Sequence, residues 1–84
     1  MADTFQIEIA TPEKLVLSER AESAQIPGKD GYMGILPGHA ALLSELREGT
    51  LSVTSGGQTT NFTISGGYVE IRDNHVRVLA DSAE

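Results

Sequence analysis

Tyr68-Val69-Glu70-Ile71-Arg72-Asp73-Asn74-His75-Val76-Arg77-Val78-Leu79 decides the fold class of this 84-residue chain. Asp73 and Asn74 tolerate positive φ better than most side-chain-bearing residues, so the pair suits a tight primed turn joining two strands, Tyr68–Arg72 and His75–Leu79. Moving upstream, Leu51 and Val53 alternate, Ser55-Gly56-Gly57-Gln58 turns, and Phe62 and Ile64 alternate again, which is a second hairpin. Ser65-Gly66-Gly67 separates the two units. Near the start, Phe5, Ile7 and Ile9 alternate with Gln6 and Glu8, the two-residue period of a strand with one wet face.

Between these ends the pattern continues in short pieces. Lys14 to Ser18 contains the apolar run Leu15-Val16-Leu17, which predicts a short strand buried on both faces. Glu22 to Ile26 reads as extended with Ala24 and Ile26 inward, closed by Pro27-Gly28. Residues 39–49 are ambiguous, because Leu42, Leu43 and Leu46 between Gly38 and Gly49 match a turn or two of helix, yet so short a helix is marginal alone. Short strands separated by regular turn signals, with no alternation of strand and helix, predict an antiparallel sandwich or barrel.

Composition narrows the chemistry. One domain of this length buries only about 60% of the surface its unfolded chain would expose, so its stability is modest unless a partner adds to it. There is no cysteine, hence no disulfide or thiolate site, and the two histidines stand in no close His/Asp/Glu cluster that would suit a metal. Twelve acids against six bases leave a formal net charge of -6, a poor surface for nucleic acid or anionic lipid. The start, Met1-Ala2-Asp3-Thr4, has no basic run, and the apolar stretches are too short to span a bilayer, so direct lipid insertion is not expected.

Two glycine-proline clusters, Pro27-Gly28-Lys29-Asp30-Gly31 and Gly34-Ile35-Leu36-Pro37-Gly38-His39, bracket Tyr32 and Met33. So much conformational control exceeds what a plain connection needs, and function is expected there. His39 could act as a general base oriented by Asp30 or Glu45, with Ser44 or Ser65 as nucleophile, but no spacing singles these residues out and no Gly-x-Ser-x-Gly elbow exists. His39 therefore reads as a ring at a loop or partner surface, and His75 as an exposed strand residue. The glycines form neither phosphate-loop pattern. Asn61-Phe62-Thr63 fits a glycosylation acceptor by coincidence within a strand. Ile35, Leu36, Leu42 and Leu43 either form a docking patch or plug one end of the sandwich. The competing reading is a free-standing β-sandwich that recognises a small ligand or peptide through these loops.

The ordered series Ile26-Pro27-Gly28-Lys29-Asp30-Gly31, Gly34-Ile35-Leu36-Pro37-Gly38-His39-Ala40, Leu42-Leu43, Gly49-Thr50-Leu51, Ser65-Gly66-Gly67-Tyr68-Val69-Glu70 and Val76-Arg77-Val78-Leu79-Ala80-Asp81 closely resembles the epsilon subunit of the F-type ATP synthase. The resemblance runs from about Phe5 to Glu84. It implies that residues 1–84 form the amino-terminal domain, an all-β, flattened ten-stranded antiparallel β-sandwich, with Leu42–Arg47 extended. It further implies a non-catalytic central-stalk rotor subunit, without cofactor or metal, that couples ion-driven c-ring rotation to ATP synthesis.

On that resemblance, Gly28, Lys29, Asp30, Gly31, Tyr32, Met33 and Gly34 face the c ring, and Gly38, His39, Ala40, Ala41, Leu42, Leu43 and Ser44 meet the gamma subunit. The expected location is the cytoplasmic face of the inner (plasma) membrane, as a peripheral part of the complex, and the isolated domain is expected to be soluble and monomeric. Tyr32 stands where relatives often carry an acid, so a stacking or hydrogen-bonding contact replaces an ion pair there. Ala41 stands where proline is common. The family usually continues into an antiparallel helical hairpin, absent from these residues, so neither inhibition of hydrolysis nor ATP binding is assigned to them.

Overall fold

Strand follows strand along this chain because apolar residues recur every second position between turn-forming residues. In the computed structural model, which describes residues 3–84, eight strands are formed: β1 (Phe5–Ala10), β2 (Leu15–Ala21), β3 (Ser23–Gly28), β4 (Gly31–Ile35), β5 (Leu42–Glu45), β6 (Gly49–Ser55), β7 (Gln58–Arg72) and β8 (His75–Ala83). The all-β expectation holds, with eight strands in place of ten. Two of the segments expected to be separate strands, on either side of Ser65-Gly66-Gly67, run together as the 15-residue β7. The reading of Met1 and Ala2 lies outside the described residues.

The strands follow the order β2-β1-β8-β7-β6-β3-β4, with β5 branching off β7. Strand β7 organises this path by changing partners along its length. Its first half pairs with β6, from Ser55↔Gln58 to Gly49↔Ile64, and its second half takes β5, from Glu45↔Tyr68 to Leu42↔Ile71. Strand β8 lies along β7 from Ile64↔Ala83 to Arg72↔His75. Asp73 and Asn74 close that hairpin at φ 52° and 61°, the primed turn that the sequence predicts.

One pairing departs from an antiparallel sandwich. Strands β1 and β8 run parallel, from Gln6↔His75 to Ala10↔Leu79. A parallel pair needs a long connection, and nearly the whole domain lies between these two strands.

Phe5, Ile7 and Ile9 of β1 share one buried cluster with Ala24 and Ile26 of β3, Ile35 of β4, Leu51 and Val53 of β6, Val69 and Ile71 of β7, and Val76 and Val78 of β8. The two ends of the strand path thus close over a single core. Strand β2 corrects the reading of Leu15-Val16-Leu17 as buried on both faces: Leu15 is 58% exposed, while Val16 and Leu17 are partly buried against the core. Strand β3 also continues through Pro27 and Gly28, where a stop was expected. Residues 42–45 are extended, as the resemblance implies, and the helical option falls.

Candidate docking surfaces

The Gly28–Gly34 segment is the tip and return strand of the β3–β4 hairpin, with Gly28↔Gly31 nearest the turn and Gln25↔Gly34 farther down. Its tip is tied to the segment that follows β5. The Lys29 amide donates to the Glu45 carbonyl at 2.9 Å, the Arg47 amide to the Pro27 carbonyl at 3.0 Å, and Gly28 bridges Leu46. Lys29 Nζ also reaches Glu45 Oε2 at 3.2 Å. The two backbone hydrogen bonds, which make up the Gly28–Leu46 bridge, fix the tip, while the exposed ion pair adds little.

Tyr32 makes its contacts within the chain. Its hydroxyl accepts the Thr50 amide proton at 3.2 Å, and Arg47 lies 5.8 Å from the ring centroid. A hydroxyl in this place turns the residue into a clasp between the hairpin and the start of β6.

Beyond the far end of β4 the chain crosses loop 36–41 and returns as β5, so the second segment, 38–44, is the latter part of that loop and the start of β5. The apolar residues in and beside it divide. Ile35 is in the core and Leu42 packs against it, whereas Leu36 is 63% and Leu43 72% exposed. Ile35 and Leu42 thus take the plugging role, while Leu36 and Leu43 are left facing outward. Gly38 adopts φ 82°, the His39 amide donates to the Leu36 carbonyl at 3.2 Å, and His39 Nδ1 lies 2.8 Å from the Ala40 carbonyl oxygen. The Gly38 amide donates to Asn74 Oδ1 at 2.8 Å. The turn residue Asn74 thus reaches across to this loop, a contact that reading it as a turn residue does not reveal.

The groups weighed for catalysis are dispersed. Asp30 is in the hairpin turn and Glu45 pairs with Lys29, whereas His39 follows the opposite end of β4. Ser44 donates to the Glu45 carbonyl, and the Ser65 and Ser82 hydroxyls bond each other. His75 is more than an exposed strand residue: its Nε2 is 3.1 Å from Glu8 Oε1, which also lies 3.6 Å from Arg77 Nε. Among the described residues no group of three or more His, Cys, Asp or Glu could hold a metal ion, and no helix is long and apolar enough to cross a membrane.

A profile described as the β-sandwich domain of the ATP synthase delta/epsilon chain matches residues 4–84. The chain belongs to this family. It is 51% identical over its full length to the ATP synthase epsilon chain of Koribacter versatilis, covering 59% of that protein, and 46% identical to that of Solibacter usitatus, covering 63%. It thus spans about three fifths of the length of these curated relatives.

Among solved structures, a chain in the Euglena gracilis mitochondrial ATP synthase, described as OSCP/F1/c-ring, superposes with a TM-score of 0.91 at 26% identity, over 96% of this chain and 52% of that one. A chain in the Tetrahymena thermophila enzyme's central stalk and c ring gives 0.81 at 19% identity, over 94% of this chain and 64% of that one, a likeness of fold.

Proposed function

We propose that this domain is a non-catalytic element of the ATP synthase rotor, meeting the gamma subunit through Gly38–Ser44 and the c ring through the Gly28–Gly34 hairpin, and so passing torque from ion-driven ring rotation to the catalytic head. Family membership and the epsilon-chain relatives support the assembly. The observation that carries the mechanism is the set of backbone contacts between the hairpin tip and residues 45–47. A coupling that must resist shear gains from loops fixed before binding, since little ordering then remains to be done in the complex. The acidic charge of the chain suits basic or amide-rich ring loops, and Leu36 and Leu43 give the gamma-facing side an apolar anchor. As part of that assembly the domain works on the cytoplasmic face of the coupling membrane.

Titrating the labelled chain with purified gamma subunit tests the first contact. Amide shifts are expected to change across residues 38–44 and to stay fixed at the β6–β7 turn. Shifts that spare 38–44 would reject the assigned surface, and indifference to gamma with tight binding of a small molecule or peptide would favour a free-standing recognition module.

A further inference from the structure

Asn74 does more than turn the chain. Its main-chain oxygen accepts the Gln6 amide proton at 3.1 Å, its side-chain Nδ2 donates to the Thr4 carbonyl at 2.7 Å, and its Oδ1 accepts the Gly38 amide proton at 2.8 Å. The two ends of one planar carboxamide are satisfied in opposite senses, by a carbonyl and by an amide, so a single orientation serves both. The residue is half-buried, and its left-handed φ of 61° comes from the β7–β8 turn that aims it. Three pieces far apart in sequence meet there: the start of β1, the β7–β8 turn and the loop that leads into β5.

We propose that Asn74 is a positioning residue for the gamma-docking loop, clamping Gly38 to the frame so that Leu36 and Leu43 are presented in one arrangement before the partner arrives. This rests on the docking surface proposed above. Among the described residues the other hydrogen bonds of loop 36–41, from the His39 amide and ring, both end within the loop. The Asn74 carboxamide ties the loop to a distant part of the chain. Ordering the loop in advance lowers the cost of binding, and a loop freed of its clamp would have to be ordered by gamma.

The turn and the clamp can be separated. Glycine occupies a left-handed position readily, so Asn74→Gly keeps the turn and removes both side-chain bonds. Asn74→Asp keeps an oxygen for the Gly38 amide but sets its other oxygen against the Thr4 carbonyl, acceptor facing acceptor. Hydrogen exchange on the chain alone should show the Gly38 amide about tenfold faster in Asn74→Gly, the rough value of one lost hydrogen bond, with amides of the β7–β8 ladder still protected. Affinity for the gamma subunit should fall by about the same factor, and Asn74→Asp should recover only part of both. Unchanged Gly38 exchange in Asn74→Gly overturns the clamp, and faster exchange with full affinity for gamma overturns its role in docking. The exchange measurement needs no partner, so it decides the clamp even if the unaltered chain ignores gamma, a result that would overturn the proposed function instead.

Discussion

Gly67 has no room for a methyl group. A Cβ at this position would overlap the Leu79 carbonyl oxygen and lie 2.8 Å from the Ala80 Cα, and the φ of 110° is in the half of conformational space that side chains avoid. Both contacts are with backbone, so relief requires the β7–β8 ladder to shift. Gly38 is the contrast, with φ 82° and open space within 4 Å of where its methyl carbon would sit. Gly38→Ala should cost only the conformational part, about 1–2 kcal/mol, whereas Gly67→Ala should cost about 3 kcal/mol or more because steric strain is added. Denaturant unfolding of the two variants checks this, and equal losses would show that β8 yields more easily than its geometry implies. Composition shows that glycines cluster at both places. Which of them is crowded depends on what lies across the sheet, and no local pattern contains that.

The β3–β4 hairpin teaches a related lesson. Its turn is evident from Pro27-Gly28-Lys29-Asp30-Gly31, but the clasp from Tyr32 to Thr50 is not, since it joins residues that only the fold brings together. The exposed Lys29–Glu45 ion pair looks like an anchor, yet both side chains are at least half exposed, at 68% and 50%. Lys29→Ala should therefore change stability by no more than about 0.5 kcal/mol. Tyr32→Phe leaves the Thr50 amide without its acceptor and should cost about 1 kcal/mol. Thermal melts of the two variants would contradict this account of the hairpin if the lysine substitution proved the more damaging. Strand β2 defies its sequence pattern for a physical reason: three apolar residues in a row signal burial on both faces only when something covers each face of the sheet, and what packs on a face is a property of the whole fold. Strand β5 is ambiguous in sequence because four residues are too few to display a period of either kind.

For the whole domain, alternation and turn chemistry are enough to give the all-β class and both hairpins. The parallel pairing of β1 with β8 and the continuity of β7 through two glycines are not evident, because each depends on contacts between segments remote in sequence. Once closed, the sheet carries its two candidate surfaces on segments joined through residues 45–47, so load applied at the hairpin enters β5 directly. The rotor account stands on those surfaces meeting different partners. The chain has no cysteine, so a single introduced one can carry a photoreactive probe at a unique position. In the assembled synthase, a probe on Asp30→Cys should crosslink to a c subunit and one on Ala41→Cys to gamma; both probes reaching the same subunit, or neither reaching the rotor, would contradict the account.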